Sequence, residues 1–271
     1  MIGICTDSNS QLPVALVERY DVEVVPVTIT VGDHDYLEGV DLDADHFYEM
    51  LCADPRPAVS TSQPSPGQFA AAYESLLQRG CDEILSIHVA AGTSGTLNAA
   101  RLATRSVPIP VRLVDSNTAG FGVSCCVWAA ADAVAHGAKL DEAVQVAESL
   151  APNIGAVFIV GQAEFVATGN VTASTGVPVM AIHAGRLDVV SNVNTRIDAI
   201  RVMTTTALGW GPRLNVAVGL SDRTGEQFTK VLADALVESA NVVELAPYRI
   251  GPSVGVYAGI GTVACFMFPA S

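Results

Sequence analysis

Three short polar clusters hold residue types that could bind or transform a ligand: Asp7-Ser8, Thr93-Ser94-Gly95-Thr96 and Asp115-Ser116. Each follows an apolar run of strand character, and open parallel sheets hold ligands beyond the carboxyl ends of their strands. The second cluster stands where a helix should begin. Unbonded backbone N–H groups, hydroxyls and the positive end of the helix dipole can there hold a carboxylate or a phosphate. Ser and Thr are equally favoured at such positions as plain helix caps, and spacing alone leaves both readings open. A fourth segment, Thr61-Ser62-Gln63-Pro64-Ser65-Pro66, offers further hydroxyls before another helix start. Two such starts feeding one sheet edge would form a convergent anion pocket. Neither loop contains Lys or Arg, which favours a singly charged carboxylate over a nucleotide.

Catalysis is the competing chemistry. A serine hydrolase acting on an acyl or phosphoryl substrate would use Ser94 as its nucleophile. Gly92-Thr93-Ser94-Gly95-Thr96 departs from the G-x-S-x-G elbow at its last residue. A base is also required. His88 falls within a strand-like run, and His136 and His183 have no orienting partner visible in sequence, so each reads better as a buried or surface histidine. No catalytic residue is assigned, and no enzymatic activity is expected. Asp41-Leu42-Asp43-Ala44-Asp45 opens like a calcium loop, but His46 occupies the sixth position and Cys52 the twelfth. That stretch reads as a solvated acidic surface with no metal ligand set. G-x-G-x-x-G and P-loop motifs are missing, and no cofactor is expected.

The elements that must position these clusters follow from composition and periodicity. Hydrophobic residues make up 50% of the 271 and charged residues 15%, which demands a buried core and excludes a disordered chain or a fibre. The net charge of −14 repels phosphate backbones and anionic headgroups, so neither nucleic acid nor a membrane surface is an expected partner. Six scattered cysteines without a C-x-x-C pair, and a start without a basic region and apolar core, point to a cytoplasmic protein. Apolar stretches at 165–185 and 250–271 are broken by Gly, Pro, Ser or Thr and read as strands, so no stable membrane insertion is expected.

Strands are expected at 2–6, 21–31, 83–89 and 111–114, alternating with helices after Ser65-Pro66 and at 96–106, 121–136 and 140–150. This alternation predicts a parallel α/β sheet. Beyond Pro152 the runs at 155–160, 177–182, 187–193, 214–220, 242–245 and 262–268 are strand-like. One helix, opened by Thr224 and Gln227 as a capping box, buries Phe228, Val231, Leu232, Ala235 and Leu236. The expected division is an α/β domain over 1–151 and an α+β domain over 152–271, packed closely in the absence of a low-complexity linker.

Thr6-Asp7-Ser8, Glu38-Gly39-Val40-Asp41 before Phe47-Tyr48, Thr61-Ser62-Gln63-Pro64-Ser65-Pro66-Gly67, Ile87-His88 and Ser94-Gly95-Thr96 together resemble the DegV family of bacterial fatty-acid-binding proteins. The match in order and spacing runs over about residues 1–130 and is carried further by Ile250-Gly251-Pro252, Gly255, Gly259 and Gly261. The resemblance implies one long-chain fatty acid in a tunnel at or near the domain interface. It also implies a partner, a fatty acid kinase, to which the carboxyl group is presented for phospholipid synthesis. By motif, Thr61 and Ser94 would bond the carboxylate, with Ser62, Gly95, Thr96 and Tyr257 completing the ligand set. Tyr257 stands where the family usually has His, Gly259-Ile260-Gly261 stands for G-P-G, and Asn170 and Asn194 stand at positions of family Arg residues, with Arg196 nearby. A buried chain of about 14 methylenes supplies on the order of 11 kcal/mol of gross transfer free energy, so tight binding needs no salt bridge. Val157–Val160, Val177–Ile182 and Val263–Phe268 read equally as tunnel wall or ordinary core.

Overall fold

The parallel sheet forms where apolar runs end in a polar residue. In the computed structural model, which describes residues 1–53, 58–161, 176–183 and 186–270, β1 (Ile2–Asp7), β2 (Glu23–Val25), β6 (Glu83–His88) and β7 (Val111–Asp115) are all parallel, in the order β2-β1-β6-β7. After their first residues β1 and β6 are buried throughout, as strands covered on both faces must be. The covering helices are α1 (Val14–Tyr20), α3 (Pro66–Gln78), α4 (Thr96–Ala103), α5 (Phe121–Ala135) and α6 (Leu140–Leu150). Helix α3 opens with Ser65 and Gln68 in a reciprocal capping box and Pro66 at its first position. Its Phe69, Tyr73 and Leu76 pack against Cys5, Ile84 and Ala100. Helix α5 is buried on every side from Phe121 to Trp128, as its Ala- and Val-rich sequence allows.

The expected strand over 21–31 is in fact two. Pro26 has no N–H to continue a ladder, and the chain leaves the parallel sheet after Val25 to start β3 (Thr28–Val31). β3 pairs antiparallel with β4 (His34–Leu37) and with β5 (Val59–Ser62), a separate sheet of order β4-β3-β5. Neither β4 nor β5 was expected, because polar H-D-Y-L and V-S-T-S segments become strands only through their partner.

The described residues fall into two compact units, Met1–Leu42 with Ala58–Ala151, and Asp43–Pro57 with Pro152–Ser271. In the second unit, β8 (Gly155–Ile159), β9 (Val177–His183), β10 (Arg186–Val193), β11 (Leu214–Leu220), β12 (Val242–Arg249) and β13 (Val263–Pro269) form one mixed sheet of order β10-β9-β8-β13-β11-β12. Only β11 and β12 run parallel, joined through α8 (Glu226–Val237). Val157, Ile159, Val179, Val263, Cys265 and Met267 point into a core shared with Leu232 and Leu236. Helix α2 (Ala44–Ala53) belongs to this unit, with Asp45 paired to Arg249 at 2.6 Å.

Three helices here were not foreseen: α2, α7 (Arg196–Leu208), capped by Thr195, and α9 (Pro252–Ala258). Threonines at 204–206 dilute the apolar period of α7, and α9 has only seven residues, too few to show one. The start of α8 also differs. Gly225 is its N-cap residue, without a capping side chain, and Asp222 instead caps the short turn before it, accepting from the Thr224 N–H. Val231 is 44% exposed and lies off the buried face. No helix among the described residues is long and apolar enough to cross a membrane.

Two stability predictions arise from this unit. Gly219 of β11 lies opposite Tyr248 of β12, and a Cβ at Gly219 would stand 2.2 Å from the Tyr248 ring. Gly219→Ala must therefore expel a buried ring and is expected to lower unfolding free energy by about 2 kcal/mol in urea titrations. Burial pushes the Asp222 carboxyl up, but bonds from Gly261 N–H (2.5 Å), Ser221 hydroxyl (2.8 Å) and Thr224 N–H (3.1 Å) together hold it below the ordinary value. A depressed folded-state pKa stabilises the fold above the unfolded pKa, and that contribution fades as pH falls through the folded value. The stability gap between wild type and Asp222→Asn is thus expected to be full at pH 7 and to narrow below about pH 4.

Candidate functional site

Strands β1, β6 and β7 deliver Asp7, His88 and Asp115 side by side at their carboxyl ends. The loop that follows β6 is stapled from both neighbouring strands. Val89 N–H donates to Asp7 Oδ2 (3.2 Å), Ala90 N–H to the Thr118 carbonyl (2.9 Å) and Ala91 N–H to the Asp115 carboxylate (3.3 Å). The Ala90 carbonyl then collects Thr93 N–H (3.0 Å), Ser94 N–H (3.1 Å) and the Thr93 hydroxyl (2.9 Å), a tight turn that brings Ser94 to the start of α4. Gly95 is the N-cap residue and Thr96 is buried. Ser94 Oγ lies 2.8 Å from Thr96 Oγ1 and accepts from Thr96 N–H at 3.2 Å. Two of the three polar clusters therefore hold the third in place.

The Thr61 segment reaches the same spot. Thr61 pairs with fully buried Ile29 across β5 and β3 and shares its inward face, whereas Ser62 is exposed on the outer one. Beyond β5 the Gln63 side chain lies against Gly95, where a Cβ would stand 2.1 Å from Gln63 Oε1. A side chain at Gly95 would have to push the Gln63 amide aside. The two hydroxyl-bearing segments are thus neighbours. Ser65 spends its hydroxyl on the α3 cap. Tyr257 belongs to α9 of the second unit, where the residue is 72% exposed.

Sequence reasoning missed a buried chain beneath the loop. Asp7 Oδ2 lies 2.9 Å from His88 Nδ1, His88 Nε2 lies 2.6 Å from Ser86 Oγ, and Ser86 Oγ lies 3.0 Å from Tyr73 Oη. Nδ1 donates to the carboxylate, and Nε2, Ser86 and Tyr73 continue the chain of hydrogen bonds inward. The connectivity is that of a Ser-His-Asp relay, yet Asp7, Ser86 and His88 are completely buried and the Phe69 ring stands edge-on to the imidazole at 4.9 Å. A substrate cannot reach this serine. Ser94 bonds instead to Thr96, and both ring nitrogens of His88 are engaged elsewhere. One signal was available: Ser86 and His88 are two apart on a strand and so share a face.

A family model described as "Uncharacterised protein, DegV family" matches residues 1–270. The chain belongs to the DegV family. A DegV domain-containing protein of Streptomyces coelicolor is 29% identical over 270 residues, covering 96% of this chain and 95% of its own. One from Staphylococcus aureus is 31% identical over 209 residues, 74% of each chain. The fold is that of a solved structure described as "Fatty Acid Binding of a DegV family Protein from Thermus thermophilus", with TM-score 0.86, 25% identity and 99% of both chains covered.

In this DegV protein the C-terminal glycine motif is held by Arg196 and Asp222. Arg196 donates to the Gly261 carbonyl at 2.5 Å with its guanidinium 4.7 Å from the Phe228 ring centre, while Asp222 takes the Gly261 N–H. Gly259 and Gly261 both have positive φ, a conformation that other residues enter only with strain. Thr195 caps α7, and Asn194 is exposed. The segment 165–171, with Asn170, lies outside the described residues.

Proposed function

We propose that this DegV protein is a cytoplasmic carrier with no activity of its own: it binds one long-chain fatty acid and presents the carboxyl group to a partner such as a fatty acid kinase, in the service of phospholipid synthesis. The observation that carries this reading is the contact of Gln63 with Gly95, which joins the Thr61 and Ser94 segments into one hydroxyl-rich patch. In it the Thr61 and Ser94 hydroxyls donate to the carboxylate, and Gly95 and Thr96 complete the headgroup set. The patch is neutral in its own loops, so affinity comes from the buried acyl chain and the headgroup site sets orientation. The Thermus thermophilus relative, described as fatty acid binding and alike over nearly the whole chain, supports the same ligand class.

Native mass spectrometry of protein purified from cells tests the reading. A co-purified mass of one fatty acid per chain is the expected result. Ligand-free protein that fails to take up added palmitate, or a Ser94 that reacts with a fluorophosphonate and turns over an ester, would overturn it.

A further inference from the structure

The geometry points to Asp7 as a positioning residue that, through His88 and the Val89 amide, fixes the loop presenting Ser94 and so sets selectivity for the headgroup. This inference rests on the fatty-acid reading of that loop.

A single oxygen, Asp7 Oδ2, takes both the His88 Nδ1 proton and the Val89 N–H. Val89 is the last residue before the turn in which the Ala90 carbonyl gathers Thr93 and Ser94. Any change at Val89 therefore propagates to the Ser94 hydroxyl through a short, internally bonded loop. The imidazole that Asp7 orients is also wedged against Phe69 of α3, the helix that follows Gln63 and Ser65. Asp7 thus governs both the take-off of one hydroxyl segment and a contact beneath the other.

A carboxylate is an expensive choice for this position. It is completely buried, and Oδ1 has no hydrogen-bond partner among the described residues. An apolar side chain of similar size would serve stability better, so the carboxylate is explained by the direction it imposes on its two donors.

The test compares palmitate with hexadecanol, an equal chain without a carboxylate, by calorimetric titration. Wild type is expected to prefer palmitate; absence of any preference would sink the fatty-acid headgroup reading and this inference with it. Given that preference, Asp7→Ala is expected to reduce it about tenfold, through weaker palmitate binding, with hexadecanol affinity held within roughly threefold. Asp7→Asn, which keeps an acceptor in place of Oδ2, should restore most of the preference. Ser86→Ala, which removes an equally buried bond on the far side of His88, should leave it unchanged. A preference kept in Asp7→Ala, or lost equally in Asp7→Asn or Ser86→Ala, would overturn the inference while leaving the fatty-acid reading intact. Should Asp7→Ala not fold, amide exchange in wild type decides: protection of Val89, Thr93 and Ser94 comparable with β6 supports a fixed loop, and exchange at the rate of an unprotected loop contradicts it.

Discussion

Shortening the ligand from sixteen carbons to twelve is expected to weaken binding on the order of 10²-fold. Each methylene withdrawn from water contributes about 0.8 kcal/mol, and four of them come to about 3 kcal/mol. The slope of binding free energy against chain length is the quantity to measure, by displacement of a fluorescent fatty acid across a series of saturated acids. A slope near the full transfer value means that the whole tail is enclosed. A slope near zero would mean that the tail stays in solvent and that the protein recognises little more than a carboxylate. No hydrogen bond at the headgroup can imitate this dependence, because every acid in the series has the same head.

The second large effect is at the head itself. Ser94→Ala removes one hydrogen bond to a charged group, worth roughly 1.5–3 kcal/mol, and is expected to raise the dissociation constant by about tenfold to a hundredfold. Thr61→Val, which replaces a hydroxyl by a methyl at nearly constant volume, should cost a similar factor. Thr61 lies on β5 and Ser94 in the loop before α4, so the two should fold independently of one another's side chain. Stability should change little in Ser94→Ala, whose lost hydroxyl bonds its neighbour Thr96, and in Thr61→Val, which keeps the side-chain volume. An intact melting transition with weakened palmitate binding is the expected pair of results. Equal weakening for palmitate and hexadecanol would instead assign both hydroxyls to loop structure.

Local chemistry was legible in the sequence, and distant pairing was not. The Ser65 cap before Pro66, the buried strands β1 and β6 and the Ala-rich helix α5 depend on neighbours within a few residues. The small sheet β4-β3-β5 does not, and its polar strands gain their identity only from one another. The same distinction runs through the site. Hydroxyl-rich helix starts at Thr61–Pro66 and Ser94–Thr96 could be read from residue types, but their contact depends on Gln63 reaching Gly95. Asp7 and His88 are 81 positions apart and meet because β6 lies beside β1 in the sheet, an order no local pattern encodes. Helix α2 was not read from the sequence, and its packing of Phe47 and Tyr48 against Gly255 of α9 is a tertiary fact.

A crystal structure of the protein with palmitate is the most direct measurement. The expected density places the carboxylate within hydrogen-bond reach of the Thr61 and Ser94 hydroxyls, with the tail running inward and out of contact with solvent. A carboxylate bound anywhere else, or a tail lying along the surface, would contradict a carrier built on those two hydroxyls.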